Sequence, residues 1–278
     1  MLPNHVRDLW AQGRPVLNGW LSIGNPFTAE IMAAQGYDSV TIDVQHGALD
    51  YGDVLPMLQA LRASGVVPMT RAPWCEPGIV MKLLDAGAMG IICPMINTAE
   101  DAARFASTLR YPPRGQRSFG PTRVGVAHGL AAYSKQANDV ILGFAMIETA
   151  EAMRNLDAIA ATPGLDGLYI GPSDLTLGLS DGRLSPGFDR EEPEMIEAIQ
   201  RILAAAHRHG IRACLHCGTP DYAARAVEWG FDLVTVSGDS RLLAAAAGAS
   251  VARFRDLTSG AGTGATRDGA SATARGGY

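Results

Sequence analysis

Eight short apolar runs recur along this chain, and a helical pattern follows nearly every one. The runs are Leu17–Gly24, Ser39–Val44, Val67–Ala72, Gly90–Met95, Ile141–Ile147, Gly167–Ile170, Arg212–His216 and Asp232–Val236. The helical patterns are Thr28–Gln35, Tyr51–Ala63, Pro77–Ala86, Ala99–Leu109, Ala150–Ala161, Pro193–His209, Pro220–Trp229 and Ser240–Asp256. The runs are apolar on successive residues rather than alternate ones, the pattern of parallel strands covered by helices on the outside. Five helical patterns stop at a glycine (Gly36, Gly65, Gly87, Gly210 and Gly230), where a left-handed C-cap is expected. Eight βα units in about 250 residues is the size of a (β/α)8 TIM barrel. An open doubly wound sheet is the rival architecture. It would ordinarily carry a glycine-rich phosphate loop, and neither GxGxxG nor GxxxxGK[ST] occurs here.

Composition narrows the function classes. Hydrophobic residues make up 47% of the 278 residues and charged residues 18%, enough apolar material for one large core. A net charge of −5 gives no basic excess to hold nucleic acid. No apolar run reaches the length of a membrane span. Residues 1–13 include Pro3, Asn4, Arg7 and Asp8 and lack the apolar stretch of a signal peptide. Four cysteines do not make a disulfide framework, so the expected compartment is a reducing cytoplasm. From Thr258 to Tyr278 the chain has no Leu, Ile, Val, Phe or Met. We expect a barrel domain over 1–257 and a disordered tail over 258–278.

In a barrel of this kind functional residues collect at the C-terminal ends of the strands. Five candidate strand ends carry chemistry: Asp43-Val44-Gln45-His46 after the second, Arg71-Ala72-Pro73-Trp74 after the third, Glu148-Thr149 after the fifth, Gly171-Pro172-Ser173-Asp174 after the sixth and Ser237-Gly238-Asp239 after the eighth. Glu148 and Asp174 facing one pocket would repel unless one is protonated or a cation lies between them. An oxygen-only pair suits Mg²⁺ or Mn²⁺; alternatively each carboxylate caps the helix that follows. The backbone at Gly171–Asp174 is able to hold a carboxylate or phosphate, although a plain tight turn reads the same. A turn after Val44 would bring His46 over the mouth with Asp43 behind it, a plausible base, while an ordinary loop histidine fits the same spacing. Arg71 needs an anion to be buried, either substrate or Glu148.

Two chemistries are set aside at this stage. Cys214-Leu215-His216-Cys217 has no second CxxC to complete a zinc site, and buried cysteine as a small hydrophobe accounts for it better. Of the 23 basic side chains only Lys82 and Lys135 are lysines. Neither stands at a strand end, so a Schiff-base aldolase is excluded.

Taken together, several stretches resemble the metal-dependent (class II) pyruvate aldolases of the HpcH/HpaI family, typified by 4-hydroxy-2-oxoheptanedioate aldolase. They are Val40-Thr-Ile-Asp-Val-Gln-His46-Gly; Arg71-Ala-Pro-Trp with Lys82-Leu-Leu-Asp85-Ala-Gly-Ala88 and Ile92-Cys-Pro-Met95; Arg110-Tyr-Pro-Pro-Arg-Gly-Gln-Arg117; and Ile147-Glu148-Thr149 with Gly164-Leu-Asp-Gly167 and Tyr169-Ile-Gly-Pro-Ser-Asp-Leu175. The resemblance covers about residues 15–245. It implies a (β/α)8 barrel and a homohexamer, a trimer of dimers, with exchange of the last helix between subunits. It implies a divalent metal (Mg²⁺, Mn²⁺ or Co²⁺) on Glu148 and Asp174, and Arg71 on the keto or enolate oxygen of pyruvate. His46 with Asp43 behind it takes the acid/base position, and Gly171, Pro172, Ser173 and Asp174 hold the pyruvate carboxylate. Asp85 reaches a neighbouring subunit's active site and orders its histidine.

Two departures from the family pattern bear on specificity. Met146 stands where many members have Gln, and Ser118 where many have Gly, a hydroxyl for the pocket. The implied partners are a small 2-oxo acid and an aldehyde, and the reaction is reversible retro-aldol cleavage of a 4-hydroxy-2-oxo acid to pyruvate or hydroxypyruvate and that aldehyde. The alternative is a CoA-ester carbon–carbon lyase of the citrate lyase β or malyl-CoA type, which ordinarily needs a basic surface for the CoA phosphates; the scarcity of lysine argues against it. A non-catalytic scaffold would have been supported by loss of Glu148 or Asp174, and both are present.

Overall fold

A computed structural model describes residues 4–259. Its eight strands are β1 (Val16–Leu21), β2 (Ser39–Asp43), β3 (Val67–Arg71), β4 (Gly90–Cys93), β5 (Leu142–Ile147), β6 (Gly167–Ile170), β7 (Arg212–Cys217) and β8 (Leu233–Val236). All neighbours pair in parallel, and β1 returns to β8 through Val16↔Leu233, so the sheet closes into a barrel in chain order. The architecture expected from the apolar runs is therefore the one found. Every residue of β2, β4, β5 and β6 is buried, because these strands face the barrel interior on one side and helices on the other.

The helices are α1 (His5–Ala11), α2 (Pro26–Ala33), α3 (Tyr51–Leu61), α4 (Pro77–Ala86), α5 (Ala99–Leu109), α6 (Thr122–His128), α7 (Leu130–Val140), α8 (Ala150–Arg154), α9 (Leu156–Ala160), α10 (Pro172–Ser180), α11 (Pro193–Arg208), α12 (Pro220–Trp229) and α13 (Asp239–Ser259). Their starts follow local chemistry. Asp50 with Asp53, and Thr98 with Asp101, form reciprocal capping boxes at α3 and α5. All five glycines expected as helix stops have positive φ, and Gly87 and Gly230 close α4 and α12 in the left-handed region.

The structure differs from the sequence reading in four places. The segment 150–161 is two helices, broken at Asn155, whose amide donates to the Asn97 carbonyl. Residues 122–140, in which the pattern gave no helix, hold α6 and α7. The N-terminal α1 buries Val6, Leu9 and Trp10. Its Arg7 donates to the Ile141 carbonyl and to Asp166, and Trp10 donates to the Asp232 carbonyl, so the helix sits under the N-terminal ends of β5, β6 and β8. Finally, Thr258 and Ser259, assigned by composition to the tail, are the last residues of α13, where their hydroxyls back-bond to Phe254 and Arg255 carbonyls. The rest of the expected tail, 260–278, lies outside the described residues.

One compact unit ends at Ser240 and a second begins at Arg241. Within the second, the α13 residues from Arg241 to Ser259 are all exposed, including Leu243 (63%) and Phe254 (66%). Cys214 and Cys217 are buried core residues of β7. Among the described residues no helix is long and apolar enough to cross a membrane.

Candidate active site

The β2–β3 register sets Asp43 directly beside Arg71 at the strand ends. Arg71 donates from Nε to Asp43 Oδ1 (2.8 Å) and from Nη2 to Oδ2 (2.6 Å). The two side chains are 11% and 3% exposed. Burial alone would raise the Asp43 carboxyl, but the guanidinium outweighs it and holds the group below the usual carboxylate range. Trp20, at the end of β1, donates from Nε1 to Asp43 Oδ2 (3.2 Å), and its ring lies 4.9 Å from the Arg71 guanidinium carbon. Arg71 is thus fixed by a fork and a ring, and Nη1 makes no hydrogen bond among the described residues.

This arrangement corrects the expected role of Asp43. The strand does end there and the chain does turn back, but Asp43 Oδ1 accepts from the backbone N–H groups of Gln45 and His46. The carboxylate stands behind Arg71, not behind the His46 imidazole, which is exposed. Glu148 is likewise not the hydrogen-bonded partner of Arg71.

Glu148 follows β5 and is 2% exposed. Its Oε1 accepts the Met95 N–H (2.7 Å), and Met95 is held at φ 56° in the left-handed region after β4. No cationic side chain bonds to Glu148 among the described residues. Burial, with a smaller contribution from the neighbouring Asp174 charge, pushes its carboxyl up to about 7. Gly171 permits this packing: a Cβ there would lie 2.6 Å from Glu148 Oε2 and 2.8 Å from the Met146 methyl. Asp174 is the third residue of α10 and exposed; the N-cap is Gly171, so Asp174 does not cap that helix. Thr149 does cap α8, accepting from Ala152 N–H. Leu175 N–H returns to the Gly171 carbonyl, whereas the N–H groups of Ser173 and Asp174 have no acceptor within the helix. A buried, uncompensated carboxylate beside a second one fits a hard divalent cation through oxygen ligands.

Asp85 and Ser118 are not brought to this rim. Asp85 is one residue from the C-terminal end of α4, hence toward the N-terminal ends of the strands, and pairs with Arg117 (2.6 Å). Ser118 is exposed and its N–H meets Met81 Sδ of α4 (3.5 Å). Lys82 lies over the Tyr51 ring (4.2 Å) and Lys135 sits in α7, so neither lysine occupies a strand end.

Three groups at the rim escaped the sequence reading. Trp20 lies within an apolar run, where its polar N–H was the only signal. Met95 acts through its backbone. His216 and Tyr169 meet inside the barrel, Tyr169 Oη lying 3.1 Å from His216 Nδ1 and 2.7 Å from Thr235 Oγ1. His216 also stacks on Phe188, 4.6 Å between centroids.

Together the closed parallel barrel and a rim bearing a forked Arg71 and a carboxylate pair define a (β/α)8-barrel enzyme with its chemistry at the strand C-termini. The chain belongs to the HpcH/HpaI aldolase/citrate lyase family, whose family model matches residues 17–246. It is 44% identical over 254 residues to a hydroxypyruvate/pyruvate aldolase of Rhizorhabdus wittichii, covering 91% of this chain and 100% of the relative. It is 34% identical over 240 residues to a 5-keto-4-deoxy-D-glucarate aldolase of Citrobacter koseri, covering 86% and 91%. A solved HpcH/HpaI aldolase/citrate lyase family protein of Burkholderia cenocepacia superposes with TM-score 0.83 at 32% identity, covering 91% and 100%. The enzyme is a carbon–carbon lyase of the aldolase type.

Proposed function

We propose that this chain reversibly cleaves a 4-hydroxy-2-oxo acid to pyruvate or hydroxypyruvate and an aldehyde, using a divalent metal (Mg²⁺, Mn²⁺ or Co²⁺) held by Glu148 and Asp174. The observation that carries the reading is Glu148: a carboxylate buried at a strand end, raised to about 7, with a second carboxylate near it and no protein cation bonded to it. A relative named for hydroxypyruvate and pyruvate supports the choice of donor. When bound, the metal supplies Lewis acidity at the 2-oxo acid oxygens.

The remaining roles fall to side chains and backbone. Ser173 and Asp174 N–H groups at the start of α10 receive the substrate carboxylate. Arg71, with Nε and Nη2 spent on Asp43, offers Nη1 to the keto oxygen, where negative charge gathers as the C3–C4 bond breaks. His46 takes the proton from the C4 hydroxyl as the aldehyde leaves. Met146, apolar and buried against Gly171, leaves the donor's third carbon without a hydrogen-bonding neighbour from that position.

Asp85 acts in a neighbouring subunit's site in this reading, consistent with its place away from the rim of its own barrel. A cytoplasmic homohexamer, a trimer of dimers exchanging the last helix, gives the exposed Leu242, Leu243, Val251, Phe254 and Leu257 of α13 a surface to cover them. The test is a retro-aldol assay on 4-hydroxy-2-oxo acids, with citryl-CoA and malyl-CoA alongside. Metal-stripped enzyme should be inactive and regain turnover with Mg²⁺, Mn²⁺ or Co²⁺. Full activity in EDTA, or cleavage of the CoA esters alone, would overturn the reading.

A further inference from the structure

At the N-terminal ends of β3 and β4, away from Arg71 and Glu148, a cavity of about 190 Å³ lies between the ends of α3 and α4 and the face of α6. Its walls are apolar and buried: Leu58 and Leu61 of α3, Val67 of β3, Met89 just ahead of β4 and Val124 of α6. Its charged side chains are all basic. Arg62, Arg123, His128 and His5 line it, and no aspartate or glutamate does. Arg62 and His128 are exposed, so these charges stand at the edge of the cavity while the apolar walls lie within. His5 has Asp38 as a partner outside the cavity (3.6 Å). Arg123 is the fixed member of the group. It donates from Nη1 to the Ala86 carbonyl and from Nη2 to the Leu58 carbonyl (3.0 Å), in the last turns of α4 and α3. Gly87 makes room for it, since a Cβ there would collide with Nη1. Both acceptors are carbonyls, so two helix C-termini offset the guanidinium charge only in part. Burial, and after it the Arg62 charge, holds Arg123 and His128 below their ordinary values. The cavity thus gathers cations around an apolar interior and supplies no anion of its own. Nothing in the aldolase chemistry uses these groups.

We propose that this cavity binds a small monocarboxylate with an apolar body of about one ring, at a site separate from the aldolase centre. A dry cavity of about 150 Å³ admits benzene, so this one has room for a ring and little more. The apolar body takes the place of water against Leu61, Val67 and Val124, and the carboxylate stays at the edge, where Arg62 and Arg123 supply charge-assisted donors. An apolar pocket with a few polar groups at one side is the usual form of a small-molecule site. Charge and shape select together. A neutral ring leaves the cations uncompensated, a bare anion leaves the walls wet, and a second carboxylate on the body would be buried among apolar side chains without a partner.

The test is benzoate binding to the native full-length protein, measured by calorimetry and located by methyl NMR. Benzyl alcohol is the probe without the charge, and acetate the probe without the ring. Benzoate should bind with a Kd near or below about 1 mM and shift the methyl signals of Leu58, Leu61, Val67 and Val124. Benzyl alcohol and acetate should each bind at least about tenfold more weakly. Arg62→Glu, a change at an exposed residue, should weaken benzoate by about tenfold or more with an unchanged melting temperature. Ala127→Phe, which fills the cavity from α6, should abolish binding, and it tests the site without disturbing Arg123 and the two helix ends it holds. Arg71→Ala should bind benzoate as the parent does, so failure of the aldolase reading leaves this result intact. The proposal is overturned if benzoate shows no saturable binding or shifts methyl groups elsewhere. It is equally overturned if benzyl alcohol or acetate binds as tightly, or if Arg62→Glu or Ala127→Phe binds benzoate like the parent.

Discussion

Arg71 and Asp43 form a two-pronged ion pair across the β2–β3 seam, with both charges nearly removed from water and Nη1 of the arginine left over. An arginine so fixed offers its remaining donors without further ordering, which is the condition for stabilising charge that appears only as a bond breaks. Arg71→Ala should lower kcat by about 10²–10³, the scale of a lost oxyanion donor. Arg71→Lys should not restore it, because an ammonium cannot hold Asp43 in a fork and reach substrate as well. Steady-state kinetics on both variants checks this; a rate within twofold of wild type for either would remove the fork from the mechanism.

Asp43→Asn leaves Arg71 charged and buried without its counter-ion. Breaking a buried pair in this way costs about 3–5 kcal/mol, and urea unfolding should show a loss of that order. The same variant should lose kcat with little change in KM, since the arginine loses its alignment rather than its charge. A variant as stable as the parent would mean that water already screens the pair.

Glu148 opposes stability in the metal-free protein. Its carboxyl is raised from 4.5 to about 7, so the folded state holds the proton more tightly than the unfolded chain does. Stability from this group is full below pH 4.5 and lost as pH rises through 7, a difference on the order of 3 kcal/mol. Metal-free Glu148→Gln should therefore melt several degrees above metal-free wild type at pH 8, and close to it at pH 5, while losing metal-dependent activity. Thermal melts at the two pH values measure it; equal melting at pH 8 would contradict the buried-charge reading.

Gly171→Ala places a methyl 2.6 Å from Glu148 Oε2. The backbone there, at φ −97°, accepts alanine, so the fold should survive while the carboxylate is displaced. Metal affinity measured by calorimetry should fall at least tenfold with an unchanged circular dichroism spectrum. Unaltered affinity would mean that Glu148 is not a ligand.

The barrel was legible because parallel strands covered on both sides must be apolar throughout, and the runs mark their ends to within three residues. Arg71 ends β3, Glu148 directly follows β5 and Asp174 comes four residues after β6, the strand ends at which a barrel's polar residues are expected from the sequence. What the chain does not reveal locally is who faces whom. Asp43 is three residues from His46 and 28 from Arg71, yet the β2–β3 register makes the distant residue its partner. The Met95 contact to Glu148 depends on β4 lying beside β5, and on a backbone N–H that no side-chain pattern reports. α6 was missed for a simpler reason: no side chain caps its start, so the usual boundary signal is absent.

The proposal to be tested is that Glu148 and Asp174 would hold a divalent metal supplying Lewis acidity, and that Arg71 would donate to the 2-oxo oxygen as pyruvate loses a methyl proton. The most direct measurement is exchange of the pyruvate methyl protons with D₂O, followed by NMR with no aldehyde present. The account predicts exchange by wild-type enzyme with Mg²⁺ or Mn²⁺, its loss in EDTA, and its loss in Glu148→Gln and Arg71→Ala. Exchange that persists in EDTA, or wild-type enzyme loaded with metal that fails to exchange at all, would contradict it.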